Sequence, residues 1–227
     1  MSAVIPGDKV SRITRFYDST IGKKAVMAVS GLILFGFLAA HMLGNLQVFL
    51  GREVMNHYAE SLRANPSLLW AARLILLASV VLHIWSSIDL ALLKKQARPV
   101  GYVKRGNVQA SYASRTMMWS GPIIAAFVVF HLLHVTTGTV HPNFIPLDAY
   151  GNVVNGFESV TVSISYIIAM VLVGMHLSHG VWSMFQSIGF SHPRYTPLIK
   201  KFAAVFSWLL IAGFISVPVA VLAGIVR

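Results

Sequence analysis

Five long apolar runs constrain this chain more than anything else in it: roughly residues 24–50, 68–93, 117–140, 160–188 and 202–226. Each reaches the length of about 20 residues that a helix needs to cross the hydrocarbon of a bilayer. The polar segments between them, marked by Pro and Gly, read as loops. The sequence therefore predicts an all-α membrane protein, one integral membrane domain over residues 1–227 with five transmembrane helices. Composition agrees, because 56% hydrophobic residues, 11% charged residues and a mean hydropathy of +0.70 exceed what the core of a water-soluble domain of 227 residues requires. Some twenty mixed residues precede the first run and no small-residue cleavage site follows a short one, so the first span is expected to stay in place.

A net charge of +11 invites a nucleic-acid reading, but the distribution of the cations argues for membrane topology. Lys9, Arg12, Arg15, Lys23 and Lys24 precede span one; Lys94, Lys95, Arg98, Lys104, Arg105 and Arg115 join spans two and three; Arg194, Lys200 and Lys201 join spans four and five. Only Arg52, Arg63, Arg73 and Arg227 fall on the other side. By the positive-inside rule residues 1–23 are a cytoplasmic segment and the C-terminus is outside. Lipid headgroups account for most of this charge, and an acidic cytoplasmic partner is the alternative use for it.

The chain has no cysteine, no Gly-x-Gly-x-x-Gly and no P-loop. Disulfides, thiolate zinc sites and protein-ligated iron–sulfur clusters are thereby excluded within it. Any flavin, nucleotide or iron–sulfur chemistry belongs to another subunit.

What the spans carry instead is histidine. His41, His83, His131, His134, His176 and His179 all lie within predicted spans, whereas His57, His141 and His192 fall in loops, where a solvated imidazole is the ordinary case. Ionisable groups at membrane depth are costly and usually functional. Counting from each span start at about 1.5 Å per residue, with direction alternating, puts His41 and His131 about 20 to 25 Å from the cytoplasmic face and His83 and His176 past the midplane toward it. Two pairs of facing imidazoles at two heights are what two bis-histidine haems require. Zinc would call for three or four ligands with carboxylates or thiolates nearby, which the span interiors lack.

The pattern is duplicated. Phe37-x-x-x-His41 is echoed by Phe127-x-x-x-His131, each Phe one turn before its His on the same face. Gly44, Ser86, Ser87 and Gly180 follow the histidines on those faces and are expected to leave room for a porphyrin edge. Periodicity does not choose the ligand within His131-x-x-His134 or His176-x-x-His179. The other member of each pair could bond a haem propionate, take part in proton transfer or satisfy a carbonyl.

The segments GKKAVMAVSGLILFGFLAAHMLGNLQVF, LLWAARLILLASVVLHIW, ASRTMMWSGPIIAAFVVFHLLHVT, GMHLSHGVWSMFQSIG and HPRYTPL resemble the single-chain, five-helix, dihaem cytochrome b subunit of succinate dehydrogenase and fumarate reductase, from about residue 19 to the C-terminus. The H-x-S-x-G-x-W-S turn of span four and the histidine placement occur together and in order. The resemblance implies a multi-pass subunit of the bacterial cytoplasmic (inner) membrane that anchors respiratory complex II. It implies two haem b groups, with axial ligands His83 and His176 for the inner haem and His41 and His131 for the outer. Its partners would be a flavoprotein with covalent FAD and an iron–sulfur protein, FAD and the clusters residing only on those subunits.

Electrons from succinate would pass through the two haems to quinone, menaquinone favoured over ubiquinone. Quinone reduction takes up protons, so its site is expected beside a haem and near ionisable groups. Asp89, Arg73, Trp70 and Glu60 are the candidates, with Glu158 near another outer span end. The plainer reading pairs Asp89 with a loop Lys and lets Arg73 snorkel to the interface. Arg115 and Lys24 are candidates for holding propionates. Two rival readings are a dihaem anchor of another quinone-linked dehydrogenase or hydrogenase, and a proton transporter using the histidines as a relay.

Overall fold

The computed structural model describes residues 14–100 and 110–227. The cations Lys9, Arg12, Lys104 and Arg105 lie outside the described residues. Among those described the chain is helical and has no strand. The five long helices are α1 (Thr20–Asn45), α3 (Pro66–Gln96), α4 (Tyr112–His131), α6 (Val160–Ser187) and α7 (Thr196–Leu222), with two short helices, α2 (Arg52–Arg63) and α5 (Ala149–Glu158), between them. A 3₁₀ turn at Leu46–Leu50 extends α1 and a π-helical turn at Leu132–Thr136 extends α4. All five long helices are long and apolar enough to cross a membrane, giving the chain the character of a multi-pass membrane protein.

The starts of α1, α3 and α4 are set by polar side chains that take over the first unpaired amides. Ser19 Oγ accepts from Gly22 N at 2.9 Å for α1, Asn65 Oδ1 from Leu68 N at 3.1 Å for α3, and Ser111 Oγ from Ser114 N at 3.1 Å for α4. Pro66 sits in the first turn of α3, where its missing N–H costs nothing. The caps shift the spans from their predicted bounds. Helix α4 starts five residues before the expected 117, because Ser111 caps it there, and its helical path ends at Thr136 rather than 140. Ser30 keeps its hydroxyl satisfied inside α1 by bonding back to Val26 O at 2.7 Å.

The helices pack unevenly. Helix α6 lies along α7 and also against α1 and α4, while α1 packs along α3. Gly174 lets α7 approach α6, since a Cβ there would sit 3.0 Å from the Trp208 ring and 3.1 Å from Ile211. The interior of this half is Ala169, Met170, Val173, Leu210 and Ile211. By contrast α3 presents Leu74, Ile75, Leu77, Val81, Leu82 and Ile88 outward, apolar residues suited to lipid.

One end of the bundle, here the upper end, is covered. Helices α2 and α5 and residues 137–148 lie across it, around a core of Val48, Met55, Tyr150, Val154, Phe157 and Tyr166. Asp148 ties the cover together: it caps α5 through Gly151 N at 3.0 Å, accepts from Asn56 Nδ2 at 2.9 Å and pairs with Arg52. Burial alone would raise the Asp148 carboxyl, but the hydrogen bonds from Asn56 and Gly151 and the Arg52 guanidinium outweigh it and hold the carboxyl below its ordinary range. Tyr150 N donates to Asn56 Oδ1 at 2.9 Å, and Tyr150 OH to the Arg227 carbonyl at 2.8 Å. The opposite, lower end has a different device. Lys23 is largely buried and bonds Asp89 at 3.1 Å, and its ammonium lies 4.2 Å from the centroid of the Tyr17 ring.

Candidate functional site

The long helices bring the span histidines together in two pairs. The rings of His41 on α1 and His131 on α4 lie 5.8 Å apart, centroid to centroid, at 80°. Those of His83 on α3 and His176 on α6 lie 6.3 Å apart at 58°. Two imidazoles binding one metal through nitrogens about 2 Å from it have centroids about 6 Å apart. Both separations suit a single atom between the rings.

The pairs lie at two levels, and two helices measure the gap independently. On α1, His83 abuts Met27, Ser30 and Gly31, and His41 follows ten residues after Gly31. On α6, Tyr166 touches His131, and His176 follows ten residues after Tyr166. Ten residues of helix rise about 15 Å. The lower level is His83 with His176, and the upper is His41 with His131.

Neither histidine pair comes from helices packed closely along their length; the close neighbours are α1 with α3, α4 with α6, and α6 with α7 and α1. Each pair therefore reaches across the bundle between helices that stand apart, as a flat insert needs. At the lower level a Cβ on Gly180, one turn beyond His176, would meet no atom within 4 Å, and His176 Nδ1 is buried without a hydrogen-bond partner. Donor type and ring spacing fit a bis-imidazole haem at both levels.

Geometry separates the two members of each H-x-x-H. His131 faces His41, whereas His134 is 1% exposed and stacked on Phe130 at 5.5 Å and on His141 at 4.8 Å. His134 Nε2 is buried and unpartnered, and a Cβ on Gly156 would lie 3.1 Å from it, leaving no space for a porphyrin. On α6, His176 faces His83, while His179 lies 6.3 Å from Trp182, edge to face. The repeated Phe-x-x-x-His has a physical role, since Phe37 stacks on His41 at 5.3 Å and Phe127 approaches His131 at 6.0 Å.

His83 donates through Nδ1 to the Met27 carbonyl at 3.2 Å, with Ser30 Oγ at 3.4 Å, which leaves Nε2 free to face His176. Tyr166 OH stands 3.3 Å from His131 Nδ1 and 3.0 Å from His134 Nδ1. Phe214 of α7 comes within 5.8 Å of His41. Tyr166, Phe214 and the Met27 carbonyl were not among the residues expected from sequence. The signal for Tyr166 was present, because its depth on α6 matches that of His131 by the same arithmetic that pairs the histidines.

Several expectations fail, among them that His57 lies in a loop, since it is on α2. Gly44 does not border a porphyrin slot, because the Tyr58 ring of α2 occupies its face, 2.9 Å from where a Cβ would be. His141 is not a solvated loop histidine: it is 5% exposed, donates from Nε2 to Asn152 O at 2.9 Å and accepts at Nδ1 from Asn143 N at 3.2 Å.

The ionisable candidates do not converge. Asp89 is at the lower end, and its partners are Lys23 of α1 rather than a loop lysine, together with Tyr17 OH at 3.3 Å. Arg73 lies over the exposed Trp70 ring at 5.1 Å, toward the start of α3 at the upper end, and Glu60 is exposed on α2. Glu158 is exposed at the end of α5. Lys24 and Arg115 are exposed at the starts of α1 and α4, Arg115 over Tyr112 at 5.7 Å. Among the described residues no three His, Asp or Glu side chains gather as ligands of a bare metal ion. Comparison of the chain with protein-family models, with curated proteins and with solved structures finds no match.

Proposed function

We propose that the chain is the cytochrome b membrane anchor of a succinate dehydrogenase, a non-flavin subunit of respiratory complex II in a bacterial cytoplasmic membrane. The observation that carries this reading is the placement of two histidine pairs, each spaced for one metal, at two levels of one helical bundle. Two haem b groups bound there would supply one-electron stations between the iron–sulfur subunit and quinone. His83 and His176 would hold the lower haem, nearer the cytoplasmic, cation-rich side, and His41 and His131 the upper one.

The chain's own residues do the remaining work. Met27 O fixes the tautomer of His83, so that ring presents an unprotonated Nε2. Phe37, Phe127 and Phe214 surround the upper imidazoles with apolar rings and keep water from them. The helix frame holds the levels about 15 Å apart, a spacing suited to electron transfer through protein. Succinate chemistry belongs to the flavoprotein, and the exposed cations Lys24, Lys94, Lys95, Lys200 and Lys201 favour docking of the soluble subunits on the lower face. Menaquinone is the favoured acceptor. Asp89 at the lower end, and Arg73 and Glu60 at the upper with Trp70 beside Arg73, would be the candidate groups around such a quinone, at opposite ends of the bundle.

Purification of the tagged chain from its native membrane tests the assignment. A covalent flavoprotein and an iron–sulfur protein should copurify, and succinate should reduce a b-type absorption band. A dihaem chain copurifying with a formate- or hydrogen-oxidising enzyme would assign it to a different respiratory complex.

A further inference from the structure

We propose that Tyr166 is the positioning residue of the upper haem's ligand, accepting a hydrogen bond from His131 Nδ1–H and donating its own hydroxyl hydrogen bond to His134 Nδ1; this rests on the cytochrome reading above. The argument is a count of protons. Tyr166 has one O–H, and it stands within hydrogen-bond distance of two imidazole nitrogens, 3.3 Å from His131 Nδ1 and 3.0 Å from His134 Nδ1. It can donate to only one of them. If His131 binds iron, the bond uses the Nε2 lone pair and leaves Nδ1 protonated, a donor. The Tyr166 oxygen must then accept from His131, and its single proton is left for the Nδ1 lone pair of His134.

The same count gives His131 and His134 different roles within His131-x-x-His134 without invoking a second ligand. His134 accepts at Nδ1, so its proton sits on Nε2, the atom pressed toward Gly156 and beside the His141 ring. The three groups thus form one directed chain, His131 to Tyr166 to His134, anchored at its far end by the stack on Phe130 and His141. Tyr166 itself is rigid: 6% exposed, it meets Phe127 at 4.9 Å and Phe157 at 4.8 Å, edge to face in both cases. At the lower level the Met27 carbonyl does the same work for His83. A side-chain hydroxyl at one level and a main-chain carbonyl at the other brace one ligand of each pair.

An acceptor on Nδ1 makes the imidazole a stronger donor to iron, which favours the ferric form and lowers the reduction potential. Tyr166→Phe removes that acceptor while keeping the ring and its aromatic contacts. In the assembled complex, potentiometric titration of the variant should still show two haems. The upper one should shift upward by about tenfold in its ferric/ferrous equilibrium, about 59 mV for one electron, with the lower one unmoved. The upper haem's low-spin ferric resonance should shift with it. His134→Phe, which keeps the stacked ring but removes the acceptor of the Tyr166 proton, should retain both haems and move the upper potential in the same direction by less. Two unmoved potentials in Tyr166→Phe, or loss of the upper haem in His134→Phe, would overturn the assignment. Wild-type protein without a Soret band would instead sink the cytochrome reading, and this inference with it.

Discussion

The two histidine levels are enclosed in different ways. The upper pair sits under a lid: α2, α5 and residues 137–148 close over it, and Phe37, Phe127, Phe214 and Tyr166 surround its rings. The lower pair has no lid among the described residues. It leans on a carbonyl, a serine and the open face of Gly180, and the nearest polar device is the Lys23–Asp89 pair. The difference is that this chain covers the upper level itself, whereas among the described residues nothing covers the lower one, which stands open to completion. In the proposed complex that completion comes from the soluble subunits on the cation-rich side.

The sharpest way to break the comparison is to delete ligands one level at a time. His83→Ala or His176→Ala should remove the lower haem alone, and His41→Ala or His131→Ala the upper one alone, so that haem per chain falls from two to one in each. Two haems retained in any of these variants would remove that residue from the ligand set. Gly180→Leu probes the open face at the lower level. A leucine there should exclude the lower haem and spare the upper, read from which of the two midpoint potentials disappears. Unchanged haem content would mean that the space beside Gly180 faces lipid.

The polar devices give smaller effects and rank the two ends. Lys23 is only 10% exposed at its side chain, so Asp89→Asn strands a buried ammonium and should cost about 3 kcal/mol in detergent unfolding. Pairing it with Lys23→Met should recover most of that loss. Asp148→Asn should cost less, about 1 kcal/mol, because Arg52 is more than half exposed and the amide still caps α5. The sign with pH follows from the lowered carboxyl. A depressed folded-state value makes this contribution fully present above the ordinary carboxylate range and lost as pH falls through the folded value. Wild type should therefore lose lid stability on acidification below about pH 4, and Asp148→Asn should lose less over the same window.

The spans and the histidine pairs were legible in the sequence because both follow from one-dimensional arithmetic. Lipid imposes length and apolarity on a helix, and helical rise converts residue number into depth. What could not be read was rotation and cover. Gly44 follows His41 at helical spacing, but which side chain fills its face depends on how α2 folds back, and Tyr58 takes the place. His141 looked like a loop residue because its burial depends on Asn152 and Gly156, in a helix that starts only after a polar connection. The lid is held by Asp148 and Arg52, 96 positions apart, a pairing that no local pattern announces. The sequence offers Asp89 a loop lysine as partner, but which lysine reaches it depends on how α1 lies along α3, and Lys23 of α1 does.

The account rests on iron porphyrin between two pairs of imidazoles, and the most direct measurement is a dithionite-reduced minus oxidised spectrum of the purified, assembled protein, with haem extracted and counted per chain. Two b-type haems per chain are expected, with a Soret band in both oxidation states. A colourless assembled protein would contradict the account and leave the buried histidines to a proton relay.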